Sequence, residues 1–523
     1  MIQTETAPAK PWSATPLLKV HRRQFVIGPR AYLSSPDWEQ IKLSTGQTLS
    51  VDPELRVGRA TDLNGNGWIL LGLAVETRSD FANPLKEIAQ RQTAAIPTLY
   101  QGWAGRWILV GNNGVHPDGA AMLSCYYGQD AAGEVWASSS PVLIQQALEK
   151  PTSTIGKGEH DAWQPSASAT VTGQVRGISW YPPPCSAIPG VFRLLPTQVL
   201  NLHRGDCHPR ALVPPLSEVL STRSFDTGSL DIKQMPPGQR DHAICAVLQQ
   251  RIQTALTNLA ELNAPRPLTL LLSGGRDSRL MLSIAANAGL PVETYTRLHR
   301  RATLADRLLP PKLARIADYP HRKQYQREEI PGRRQMILAH AGYNLSWLSA
   351  EEFLRGGSDP LTGIAIAGFC AALGRDRLIP TASAKTATGA AIAAHFCETS
   401  PELIAAFDAW VTLRQKDADS CLDLCDYFFL EQRTGGRKGI KEQIFDLFRA
   451  ERVAPLNCAH IYALIGSLSP EFKLNAQWIP HTIQATTPAL LKYPMNPPNR
   501  YFGLLRNRLF NNRFYRRQLG FMS

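Results

Sequence analysis

The residues best placed to do chemistry lie in "LTLLLSGGRDSRLML", Leu268 to Leu282. An apolar run stops on Leu272 and Ser273, passes through Gly274, Gly275 and Arg276, and resumes after Asp277 and Ser278 with helical spacing. Two glycines without Cβ let backbone N–H groups approach a ligand, and they admit positive φ. A helix starting just after them adds unsatisfied N–H groups and the positive end of its dipole. Ser273 and Ser278 offer hydroxyls, and Asp277 is a carboxylate that could hold Mg²⁺ or orient the loop. The combination suits a phosphate chain at the carboxyl end of a strand, where open α/β sheets bind ligands. At residue frequencies of about 5–7 %, S-G-G-x-D-S arises by chance roughly once in a thousand or two chains of this size, so the motif carries the reading. It is not the Walker pattern, since no G-x-x-x-x-G-K-[ST] occurs in the chain.

These residues need a sheet to hold them, and the flanking sequence predicts one. Ile244, Val247, Leu248, Ile252, Ala255, Leu256 and Leu259 recur at helical spacing before the strand. "RLMLSIAANAGL" reads as a helix closed by Gly289, "PVETYT" as a second strand and "LADRLLPPKLARIADY" as helix. Strand and helix in alternation imply a parallel α/β sheet. From about Ser400 the pattern is mainly helical. The first 150 residues differ: "QFVIGPRAYL", "WILLGLAVE", "GRWILVG", "LSCYYG" and "EVWASSS" are short strands with turns between them. "SSSPVLIQQALEK" reads as a helix capped by Ser140 with Pro141 first. The expected domains are a β-rich unit over 1–213, a Pro/Ser/Gly-rich linker over 214–238, an α/β unit over 239–499 and a tail over 500–523. No internal repeat is found.

Composition sets the class. The chain has 523 residues, a net charge of +13 and dispersed glycine and proline, which fits a globular protein with an acidic partner such as nucleotide phosphates. Charge alone gives little support to nucleic-acid binding. The start, "MIQTETAPAKPWSATP", lacks the apolar core of a secretory leader. The longest apolar stretch, near "GIAIAGFCAAL", falls short of the about 20 residues of a membrane span. Nine scattered cysteines point to reduced thiols and a cytoplasmic location. Cys421 and Cys425 lack a second pair at metal spacing, so packing is expected of them.

"SGGRDS" resembles the pyrophosphate loop of the N-type ATP pyrophosphatases, which cleave ATP to AMP and pyrophosphate while activating an oxygen as an adenylate. The run "WAGRWILVGNNGVHPDGAAMLSCYYGQDAAGEVWASSSPVLIQQAL" resembles the glutaminase domain of asparagine synthetases, with Asp118, Gly119, Tyr126, Tyr127, Ser139 and Ser140 on that pattern. "VFRLLPTQVLNLHRGD" resembles the strand closing that domain, and "ERVAPLNCAHIYALIGSLSPEFKL" a later stretch of the same enzymes. The resemblance implies an α/β protein: a degenerate Ntn-hydrolase-like sandwich in front, then a Rossmann-like pyrophosphatase domain with a helical end. It also implies ATP and Mg²⁺ as cofactors, with Leu272 to Ser278, Thr296, Asp306 and Gly368 around the nucleotide and Asp277 near the metal. Lys492, in "TPALLKYPMNPPNR", falls where asparagine synthetases carry an essential lysine, which implies a catalytic role beside Asp277.

Two departures narrow the expectation. The glutaminase cysteine should follow the initiator Met, but residue 2 is Ile2 and the first cysteine is Cys125. The amine should therefore come from the substrate or from free ammonia. The family's second loop, S-G-E-G-x-D-E, has as its nearest match "IAIAGFCAALGRDR", where Ala367 and Gly368 fit but Phe369, Ala371 and Ala372 replace acids. Asp376, Glu351 or Glu352 would have to stand in for them, or the chemistry is weakened. Members without the cysteine include β-lactam synthetase, carbapenam synthetase and the lasso-peptide cyclases. The expectation is an AMP-forming amide synthetase or cyclase joining a carboxylate to an amine, with a precursor peptide as one candidate substrate. The alternatives are a nucleotide-binding relative that scaffolds a biosynthetic partner, an ammonia-dependent amidotransferase and, less favoured, a tRNA-modifying relative. The tail Arg500–Phe521 interleaves six arginines with apolar residues and reads as a docked amphipathic helix or a grip for an acidic substrate.

Overall fold

The computed structural model describes residues 20–33, 35–80, 82–111, 114–148, 169–171, 174–176, 178–221, 235–298, 302–325, 333–345, 361–375, 379, 387–415, 421–447 and 450–495. Asp376, Glu351, Glu352, Ile2 and the basic tail fall outside them.

The first half is built from two antiparallel six-stranded sheets. Alternation along the strands sends Phe25, Ile27, Leu49 and Val51 of one sheet toward Ile69, Leu71, Ile108 and Val110 of the other, giving a dry seam between the layers. The outer faces are covered too. Helix Pro141–Ala147 buries Leu143 and Ile144 against Val26 and Trp136. Helices Pro84–Ile88 and Ile96–Leu99 cover Trp68, Trp103 and Trp107. Helix Pro141–Ala147 starts at the expected proline, but Ser140 makes no capping bond, and its hydroxyl is buried without a partner.

The second half holds a five-stranded parallel sheet in the order His321–Tyr325, Val292–Leu298, Leu268–Leu271, Ile364–Ile366, Glu451–Val453. In chain order that is 3-2-1-4-5, with the direction of winding reversed between Leu268–Leu271 and Ile364–Ile366. The helix before the first strand runs from Pro237 to Asn263, and all seven periodic residues are buried. Gly289 closes the next helix with φ +62°. "LADRLLPPKLARIADY" forms two helices, Leu304–Leu308 and Pro310–Ile316, broken where two prolines cannot donate. Within the expected linker, Leu216–Ser221 is helical. Residues 222–234 lie outside the described set.

The halves interlock through buried polar contacts rather than meeting at a loose surface. Asp118, fully buried, accepts from the backbone N–H groups of Trp107, Ala120, Met122 and Leu123 and from the Asn457 amide at 2.7 Å. Arg106 makes a two-pronged pair with Asp446, at 2.8 and 2.7 Å. Arg193 donates to the carbonyls of Gly435 and Gly436, in a wide π-helical segment over Phe428–Lys438. Glycine is required there, since a Cβ at Gly435 would sit 2.3 Å from the Ala120 carbonyl oxygen.

Candidate functional site

The "SGGRDS" loop emerges from the central strand at the switch point of the sheet. Leu272 follows that strand: its N–H donates to Tyr295 O at 2.9 Å, and its carbonyl accepts from Thr296 Oγ1 at 2.7 Å. Thr296 therefore braces the strand end, and its hydroxyl is buried. Two serines then staple the loop to the helix that follows. Ser273 N–H donates to Ser278 Oγ at 3.1 Å, the two hydroxyl oxygens are 3.0 Å apart, and Gly275 N–H donates to Ser273 Oγ at 3.2 Å.

Helix Arg276–Asn287 has Gly275 at its N-cap, which has no side chain to cap the first turn. Neither glycine uses positive φ. Gly275 is extended, at φ −83°, ψ −179°. The chain leaves the strand along its own direction and turns straight into the helix, so what matters is size. A Cβ on Gly274 would lie 3.1 Å from the backbone of Ala305, and one on Gly368 only 2.4 Å from the Asp277 carbonyl oxygen. Gly368 thus brings the fourth strand's end up against the loop helix. Asp306, in the first turn of Leu304–Leu308, accepts from Gly274 N–H at 2.9 Å and from the Thr303 hydroxyl at 2.7 Å. The loop amide therefore faces an anionic oxygen, the partner a phosphate would also supply.

Asp277 does not stand open to a metal. Its carboxylate pairs with Arg375 Nη1 at 2.9 Å. Arg276 reaches across to the Asn475 carbonyl at 3.4 Å. Lys492, itself exposed, ends the 3₁₀ turn Pro488–Lys492, in which Leu490 is buried. What brings that turn to the loop is Arg279, a residue that no local motif marks. Arg279 is fully buried and donates to the carbonyls of Leu490 (3.2 Å), Tyr493 and Pro494 (3.1 Å), with Gly274 O at 3.4 Å. Burial alone lowers its pKa to about 10.

The second loop is a 3₁₀ turn, Phe369–Ala372, following Gly368. Cys370, Ala371 and Ala372 are buried, and burial pushes the Cys370 thiol up to about 12. Apolar packing thus occupies the positions where acids were expected. Among the described residues, no group of three His, Cys, Asp or Glu could hold a metal ion. The nearby described carboxylates, Asp277 and Asp306, are each engaged by protein donors, so neither is presented to a divalent cation. In the first half, Cys125 is buried and its thiol is raised far above the ordinary range, which removes it as a nucleophile. No described helix is long and apolar enough to cross a membrane.

No protein-family model matches the chain, and no curated protein sequence does. Among solved structures, an NMN synthetase from Francisella tularensis is similar at 12 % identity and a TM-score of 0.16, over 50 % of this chain and 99 % of that one. That level of likeness bears no functional weight, and the mixed α/β architecture with its parallel sheet rests on the geometry above.

Proposed function

We propose that the protein is an ATP-dependent, AMP- and pyrophosphate-forming synthetase that joins a carboxylate to an amine. One observation carries the reading: a serine-stapled, glycine-walled loop leads into an uncapped helix at the switch point of a 3-2-1-4-5 parallel sheet. In this reading the triphosphate lies over residues 273–278. A substrate carboxylate oxygen attacks the α-phosphorus, the bond to the bridging oxygen breaks, and pyrophosphate leaves with the electron pair. An amine nitrogen then adds to the acyl carbon. AMP departs with the C–O electrons, and the amine loses a proton to solvent. Lys492, on the turn whose Leu490 carbonyl Arg279 holds, would steady the phosphoryl charge in this reading.

The front half, 1–213, is read as a degenerate glutaminase-like domain, and the amine as part of the substrate itself. A precursor peptide closing into a lactam is one such substrate. The buried turn at Cys370 to Ala372 favours a second reading, nucleotide binding without turnover. Pyrophosphate exchange into ATP, screened over carboxylates and peptides, decides between them. Exchange with AMP release supports the synthetase. ATP binding with no exchange across the panel supports the second reading, and ADP formation or no nucleotide binding rejects both.

A further inference from the structure

We infer that the phosphate charge at this site is neutralised chiefly by Arg375 and Lys438, with a divalent cation in a minor role. The inference rests on the nucleotide reading above and concerns how that nucleotide is held.

The first argument is the donor set. Mg²⁺ binds through one or two carboxylates plus phosphate oxygens in strict octahedral geometry. Among the described residues, the two carboxylates at the loop are already engaged: Asp277 by the Arg375 guanidinium at 2.9 Å, Asp306 by Gly274 N–H and the Thr303 hydroxyl. A metal approaching Asp277 would meet the repulsion of a guanidinium in hydrogen-bond contact with its ligand oxygen. The turn that could have added acids offers Phe369, Cys370, Ala371 and Ala372 instead.

The second argument is what stands there. Gly374 takes φ +78°, and a Cβ on it would lie 2.3 Å from Cγ of Lys473. Lys473 is itself fixed by a buried ion pair with Asp426. The chain is thus bent against a rigid stem directly before Arg375, which aims that side chain at Asp277. On the other side of the turn, Lys438 Nζ lies 5.1 Å from the centre of the Phe369 ring. Burial holds its ammonium below the ordinary lysine range, partly offset by Glu442. Gly368, just before this turn, packs against the Asp277 carbonyl oxygen, so the same turn touches both Lys438 and the loop helix. A guanidinium fork matches phosphate oxygens in two-pronged fashion, and a partly desolvated ammonium gains most from an anion. On this inference Arg375 keeps Nη1 on Asp277 and turns the rest of its fork to phosphate oxygens.

The test is ATP binding by the full chain, followed calorimetrically in Mg²⁺ and in excess EDTA. Wild type should show dissociation constants within about threefold of each other in the two buffers. Arg375→Met should weaken binding in EDTA by about 10- to 100-fold, as expected for loss of a charge-assisted pair. Mg²⁺ should recover part of that loss, since Asp277 is then released. Arg375→Lys, keeping the charge without the fork, should fall between, and matching thermal melts would show that the variants fold. Binding that requires Mg²⁺ in wild type, or an Arg375→Met variant indistinguishable from wild type in EDTA, overturns the inference and leaves the nucleotide reading standing. No ATP binding in either buffer rejects the nucleotide reading, and this inference with it.

Discussion

Replacing Arg279 with methionine tests whether one buried cation assembles the site. The guanidinium holds the carbonyls of Leu490, Tyr493 and Pro494 against the first turn of the loop helix, and the 3.4 Å approach to Gly274 O is too long to count fully. Three charge-assisted bonds at about 1.5–3 kcal/mol each give a gross term of roughly 5–9 kcal/mol. Part of that is offset, because a buried guanidinium with an unpartnered Nε is itself costly to desolvate. A net loss of about 3–5 kcal/mol is therefore expected, since three buried carbonyls are left without their donor. Set against a typical stability of about 5–15 kcal/mol, the fold should survive with a lowered urea midpoint. The damage should concentrate at the end of the described chain. Hydrogen exchange read by mass spectrometry should speed up over residues 488–495 while strand Leu268–Leu271 keeps its protection. Pyrophosphate exchange, if the protein catalyses it, should drop at least tenfold as Lys492 drifts. A variant within about 1 kcal/mol of wild type, with unchanged exchange at 488–495, would refute this account of Arg279.

Gly368→Ala pushes a methyl to within 2.4 Å of the Asp277 carbonyl oxygen, a backbone atom that cannot yield cheaply, so about 1–3 kcal/mol of stability and most nucleotide affinity should be lost; calorimetry against wild type checks both. Asp446→Ala strands the buried Arg106 guanidinium between the halves and should cost about 3–5 kcal/mol in urea unfolding, whereas a change under about 1 kcal/mol would show that the clamp is idle. Burial lowers His116, His340 and His460 to pKa values of about 3, with Arg210, His21 and Arg251 respectively adding to it. Their unfolded forms take up protons near pH 6.5 while the folded forms stay neutral, so stability should fall as pH drops from about 6.5 toward 3. At pH 5 each contributes a loss of about 2 kcal/mol, which Glu87 opposes: burial raises its carboxyl to about 8, so its contribution to stability grows as pH falls through that value toward 4.5. A urea midpoint unchanged between pH 7.5 and 5 would contradict the histidine account.

What the sequence could and could not reveal follows from range. The loop was legible because strand, small residues and helix are contiguous, and the helix ending at Asn287 was legible from its apolar spacing and Gly289. Strand Glu451–Val453 was not, since three residues with only Val453 buried carry no periodic signal inside a helical region. Strands such as Glu39–Lys42 and Thr48–Val51 were too short to register for the same reason. Arg276 and Arg279 look equivalent on the page. Only the packing of the helix decides that one reaches a surface carbonyl while the other is fully buried among main-chain oxygens. Arg375 meets Asp277 across 98 positions of chain, a distance at which no local pattern speaks. Thr296 was expected to serve the nucleotide, yet its hydroxyl is spent on the Leu272 carbonyl.

The clasp formed by Arg193 and Asp118 bears on how such a chain could be shortened. Cutting away the sandwich would expose the Gly435 and Gly436 carbonyls and the Asn457 amide, which find their partners in residues of the first half. The sandwich thereby supplies hydrogen-bond partners that the second half lacks by itself. Its loss would be felt first as insolubility of the remainder, well before any question of turnover arises.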